Sequence, residues 1–160
     1  SDEKEECPLQ CCCNRYGFGP QQARPFVRLA ARLDANFQGG YTPQQIRFAY
    51  DFTASSTGLG QTIALITTGN QPNIESDLRF FSSFFSLPEA RLTIRRIGSV
   101  PDNPNPDWAL ETTLDVEWAH ALAPEANLLL VYAASGRIGD LMQAVESFSS
   151  LLHHSLQENQ

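Results

Sequence analysis

Two carboxylates, Glu111 and Asp115, are the residues whose types and spacing could do chemistry in this sequence. The stretch 111–124 has the composition of one helix, on which residues four positions apart share a face. Trp118 and Leu122 fall on that face too, so both acids are predicted on the apolar, inward-facing stripe. Like charges at this spacing destabilise an exposed helix by roughly 0.2–0.5 kcal/mol, and by more where water is excluded. Sharing one proton would relieve that repulsion, raise the pKa of one acid and suit acid-range catalysis.

The same spacing also occurs on many solvated helices, so it does not establish catalysis by itself. Two further polar residues of the stretch, Glu117 and His120, lie off the face of the paired acids. They are predicted to be ordinary solvent-side residues.

The sequence motifs around the two acids resemble those of a peptidase family. The helix contains E-x-x-L-D-V-E, then A-x-A-L-A-P-E-A, and the apolar run Leu128–Tyr132 follows. An earlier segment, Y-T-P-x-x-I-R-x-A-Y at 41–50, is similar to the start of a mature catalytic domain in the same family. The family is that of the sedolisins, the serine-carboxyl peptidases, and its kumamolisin-type bacterial members look most alike.

The resemblance implies a Ser-Glu-Asp triad whose two acids match Glu111 and Asp115 one for one. Glu111 would be the general base for a seryl oxygen, and Asp115 would orient and stabilise it. The arrangement parallels Ser-His-Asp, with a carboxyl group in the place of imidazole. A carboxylate base remains usable at acid pH, where imidazole is already protonated. The implied function is therefore a serine-type endopeptidase that acts on proteins at acid pH.

Other parts of the family pattern are missing from these residues. The Gly-Thr-Ser motif that carries the nucleophile is absent, and Ser135, which precedes a glycine, lacks the context of a nucleophile. Thr67 and Thr68 stand where some relatives carry an additional Glu. The resemblance places the oxyanion-stabilising Asp and the calcium site of the full-length family in a second half. We therefore expect the N-terminal half of a catalytic domain, inactive alone, with no metal or cofactor site of its own.

Two parts of the chain differ in character. Residues 1–40 are predicted to be a disordered tail followed by a propeptide or linker remnant, and 41–160 the half catalytic domain. Within the first part, 23–33 can form a short basic amphipathic helix. All four cysteines lie in the tail, at Cys7, Cys11, Cys12 and Cys13. Neighbouring cysteines cannot comfortably share one tetrahedral zinc ion, and no histidine lies near, so a tail without metal is favoured.

Helical and strand-like patterns alternate along the second part. Helices are predicted at 43–50, 74–86, 111–124 and 138–152, and strands at 61–66, 91–97 and 127–132. The last strand is the most apolar and is predicted to be central, while 91–97 is half-buried and near an edge. This order predicts a three-layer α/β domain with a mostly parallel sheet and right-handed crossovers. The resemblance narrows this fold to a truncated subtilisin-like domain.

Composition limits the partners. A hydrophobic content of 42% with 18% charged residues is typical of a globular protein, and a net charge of −7 argues against nucleic acid. No apolar run reaches the ~20 residues that span a bilayer, and no signal peptide is visible. The resemblance implies a secreted enzyme whose partners are a polypeptide substrate and its own propeptide. The alternatives are a non-catalytic α/β binding module or degenerate remnant and, last, a divalent cation bound by two acids, which alone make a poor site.

Overall fold

The computed structural model describes residues 40–102 and 105–157. Its elements are α1 (Pro43–Ala49), β1 (Thr62–Thr68), α2 (Ile74–Phe84), β2 (Arg91–Arg96), α3 (Pro106–Leu122), β3 (Asn127–Ala133) and α4 (Ile138–Gln157). Every helix and strand predicted after residue 41 is present, with ends that differ by a few residues. The tail, the predicted helix 23–33 and the cysteine tract lie outside the described residues.

The three strands form one small, open, parallel sheet in the order β1-β3-β2. In the register of the sheet, Leu130 of β3 pairs with Leu65 of β1 on one side and with Ile94 of β2 on the other. The most apolar strand is thus central and β2 is an edge strand, as the sequence predicted.

The two faces of β3 bury different helices. Alternate side chains of a strand point to opposite faces, so Leu128, Leu130 and Tyr132 share one face. They form the main core with Ile74 and Leu78 of α2 and Val116 of α3. On the opposite face, Val131 and Ala133 pack against Ala144 of α4. The domain therefore has three layers, with α2 and α3 above the sheet and α4 below it, which confirms the predicted α/β class.

The connections between strands do not all have the predicted hand. The chain passes from β1 across β3 to β2 through α2, and it returns from β2 to β3 through α3. Both helices cover the same face of the sheet. Two crossovers that run in opposite directions over one face have opposite hands, so one of them is left-handed. About 98% of such crossovers are right-handed, and the prediction of right-handed crossovers throughout is wrong here.

Local sequence sets the start of α3. The Asn105 side-chain oxygen accepts hydrogen bonds from the backbone N–H groups of Asp107 and Trp108, both at 3.1 Å. Pro106 occupies the first helical position, where a missing N–H costs nothing. Asn105 is therefore the N-cap. Within the described ranges, no helix has both the length and the apolar composition to cross a membrane.

Candidate active site

Helix α3 buries a different stripe from the predicted one. Thr112, Val116 and His120 are deeply buried, recur every four positions and face the sheet and the segment before β2; Ala121 is buried beside His120. Glu111 lies beside that stripe and is half-buried, and Asp115 is exposed. The expectation that both acids point into the core is wrong, because Thr112 and His120 form a stripe that residue type alone does not reveal.

The two predicted catalytic acids nevertheless lie together on one side of α3. Among the described residues, neither Glu111 nor Asp115 has a hydrogen-bonded or ion-paired partner. Partial burial, and secondly the charge of Glu111, raise the pKa of Asp115 above its ordinary value. The pair is thus available to an incoming group and carries the electrostatic coupling that the sequence predicted.

Helix α1 closes the end of the acid-bearing face. Trp118 and Leu122 follow the acids along α3 and line an open, mostly apolar cavity of about 400 Å³ with Ile46, Tyr50 and Phe52. Arg47 of α1 donates hydrogen bonds to the carbonyl oxygens of Leu122, Thr53 and Ser56. These contacts tie α1 and the loop after it to the C-terminal turn of α3.

A buried hydroxyl pair anchors the turn of α3 that bears Glu111. The side-chain oxygens of Thr67, at the end of β1, and Thr112 are 2.9 Å apart, and both residues are buried. The neighbouring Thr68 donates to the carbonyl oxygen of Ala133 at 3.1 Å. Where the family resemblance leads one to look for an extra carboxylate, this chain has a neutral link between the sheet and α3.

Replacing Thr112 by Val is expected to destabilise the domain by about 1–3 kcal/mol, because the Thr67 hydroxyl is left buried without its partner. The double variant Thr67→Val/Thr112→Val should lose less than the sum of the two single variants, since both polar groups are removed together. Urea unfolding of the four proteins measures this coupling. Thr93→Val on the exposed side of β2 is the control, and strict additivity of the two buried changes would contradict the link.

Loops at the carboxyl ends of the strands pack around the start of α3. Gly69 has a φ of +72°, and a Cβ there would lie 3.0 Å from the Cβ of Trp108, so glycine suits both the backbone and the close approach. Arg96 donates to the Asn70 side-chain oxygen at 2.9 Å and makes a longer ion pair with Asp102 at 3.4 Å. Arg96 is exposed, and through these two contacts it holds two of the loops together.

Glu117 and His120, predicted as solvent-side residues, are not. His120 is fully buried; its Nε2 atom is 2.9 Å from the carbonyl oxygen of Pro88, and its Nδ1 atom has no partner. Burial lowers the pKa of His120, and the Pro88 contact opposes this. Burial, and secondly the charge of Asp77, raise the pKa of the half-buried Glu117 to about 7. The signal that could have placed His120 inside is its spacing from Thr112 and Val116.

The hydroxyl group of Ser135 is engaged in local hydrogen bonds. Ser135 hydrogen-bonds the Asp140 carboxylate and accepts from the backbone N–H of Arg137, so its hydroxyl serves the start of α4. In the ranges 40–102 and 105–157, no group of three or more His, Cys, Asp or Glu residues is arranged to hold a metal ion.

The structure is that of a small α/β domain, and a sequence comparison supports a family-level relation to the sedolisin peptidases. The chain is similar to kumamolisin of Bacillus sp. (strain MN-32), with 33% identity over 131 residues. The match covers 74% of this chain and 23% of kumamolisin, so the chain spans about a quarter of the length of that relative. No protein-family model matches the chain.

Proposed function

We propose that this chain supplies the acidic part of the active site of a serine-carboxyl peptidase that cleaves proteins at acid pH. Glu111 is the general base and Asp115 orients it, and a serine from outside these residues is the nucleophile. The observation that carries the proposal is the position of Glu111 and Asp115 on one side of α3, unpaired by any described cation and coupled in charge. The similarity to kumamolisin supports the reaction class.

The environments of the two acids support different roles for Glu111 and Asp115. Glu111 is half-buried on the turn that Thr112 anchors to the sheet, so its position is constrained, as a base requires. Asp115 is one turn further along, more exposed, and its pKa is raised in part by Glu111. An acid that holds a proton more readily can donate a hydrogen bond to the neighbouring carboxylate and steady it.

Further parts of the proposal follow from the family. The substrate is a polypeptide, a propeptide is a second partner, and the enzyme works outside the cell. The full-length family uses calcium, and the described residues offer no three-ligand cluster for it.

The test compares the 160-residue chain with the natural polypeptide that contains it. A denatured protein substrate is incubated at pH 3–5 and at pH 8, and new amino termini are counted. We expect cleavage at acid pH by a polypeptide that includes a downstream Gly-Thr-Ser segment, and none by the 160 residues alone. Absence of both the segment and the cleavage would favour the binding-module or remnant alternative, and a segment without cleavage would refute the proposed mechanism.

A further inference from the structure

A second pair of carboxylates lies between α2 and α3, apart from Glu111 and Asp115. The side-chain amide of Gln71 bridges the two helices, donating to the Asp77 carboxylate at 3.3 Å and to the Thr113 hydroxyl at 2.9 Å. Glu117 lies one turn after Thr113 on α3, is half-buried, and interacts electrostatically with Asp77. Two acids from neighbouring helices thus meet at one interface with a neutral amide beside them.

No described cation neutralises this second pair. Within the part of the chain that the structure describes, neither Asp77 nor Glu117 forms an ion pair. On α3, the next titratable group one turn on is His120, whose pKa burial lowers, so it is neutral near pH 7. On α2, Arg79 is exposed and forms no ion pair with either acid. Arg47 of α1 is engaged with backbone carbonyl oxygens. Two ionised carboxylates would therefore repel each other across the interface.

We propose that Asp77 and Glu117 form a proton-holding pair that joins α2 to α3, so that the seating of the acid-bearing helix α3 depends on pH. With a proton on the pair, one carboxyl group is neutral and the repulsion between the helices is gone. Without it, both acids are ionised and the interface is weakened. Glu117 and Asp77 are thus positioning residues, and they have no contact with a reacting group.

The direction of the pH effect follows from linkage. The pKa of Glu117 is raised from 4.5 to about 7 in the folded domain. Folding therefore favours the protonated form, and the stabilisation is fully present below pH 4.5 and is lost as pH rises through about 7. His120 acts in the opposite sense, because its folded pKa is lowered and its contribution is lost as pH falls. The effect of Glu117 must therefore be measured as a difference between variants.

The variant Glu117→Gln separates the contribution of Glu117 to the pH dependence of stability from that of His120. The amide mimics a neutral carboxyl group of the same shape. Thermal unfolding of the 160-residue chain is followed at half-unit steps from pH 4.5 to pH 8. The melting temperatures of wild type and variant should nearly coincide at pH 4.5. Above pH 7 the variant should be more stable, by on the order of 5 °C. The matched control Glu75→Gln, on the exposed side of α2, should differ from wild type by a constant amount between pH 5 and 8.

A direct titration keeps the proposal testable should Glu117→Gln unfold. In ¹³C NMR spectra of the wild-type chain, the Glu117 carboxyl should titrate with a midpoint near 7, and Asp77→Asn should lower that midpoint. A midpoint below 5.5, or a melting-temperature difference that does not change with pH, would overturn the proposal. These measurements do not require proteolytic activity, so they test the acid pair independently of the proposed function. Only the link between the acid pair and catalysis rests on the proposed function.

Discussion

Under the proposed function, replacing Glu111 by Gln should lower acid proteolysis by the natural polypeptide that contains this chain by about 10²–10⁴-fold. The amide keeps the size of the side chain and cannot accept the seryl proton. Because Glu111 is half-buried beside a turn that is held by Thr112, the neutral amide should leave the fold in place. The loss should therefore appear in kcat with little change in KM, as measured on a fluorogenic peptide at pH 4.

Two further measurements make this result decisive. Glu89→Gln, an exposed acid before β2, is the matched control and should retain wild-type turnover. Circular dichroism and the melting temperature of Glu111→Gln should match those of the parent protein. Wild-type-like turnover by Glu111→Gln would refute the assignment of Glu111 as the base. It would also refute the catalytic mechanism proposed for this chain.

The largest expected stability effect is at the centre of the sheet. Leu130 is 0% exposed, is flanked by both neighbouring strands and packs in the core that α2 and α3 cover. Replacing it by Ala should cost about 2–5 kcal/mol through lost burial and a residual cavity. That is a large part of the roughly 5–15 kcal/mol that stabilises a typical domain. Urea unfolding at pH 5 measures the loss.

Leu65, on the edge strand β1 of the same sheet, provides the comparison for Leu130. Leu65 pairs with Leu130 in the register and packs against the same core, but it is only half-buried on β1. Leu65→Ala removes the same atoms and should cost clearly less, because part of that side chain already contacts solvent. Equal costs at the two positions would show that β1 is more deeply enclosed than the described residues indicate.

The similarity to kumamolisin and the structure support different parts of the interpretation. The similarity supports the reaction class, and its coverage of 23% of kumamolisin leaves the nucleophile and the substrate as proposals. The structure shows where the acids lie and what holds them. It adds two features that the family resemblance did not include: the neutral Thr67–Thr112 link and the second acid pair at Glu117.

Local sequence determined the elements of this protein. The apolar run of β3 predicted a central strand. At the start of α1, Thr42 caps the helix in a capping box and Pro43 occupies the first helical position. Such signals act within a few residues, through backbone geometry and the alternation of apolar side chains, so one sequence suffices to read them. The pairing of Glu111 with Asp115 on one side of a helix was also available at this level.

Tertiary structure alone decided which side of α3 is buried and how the strands are connected. Two stripes of α3 carry apolar residues, and the sheet selected the one with Thr112 and His120 because Thr67 and Pro88 supply hydrogen-bonding partners there. The left-handed crossover likewise depends on which face α2 and α3 share. Burial and partner choice arise from contacts between residues distant in sequence, and the raised pKa of Glu117 and the lowered pKa of His120 follow from them.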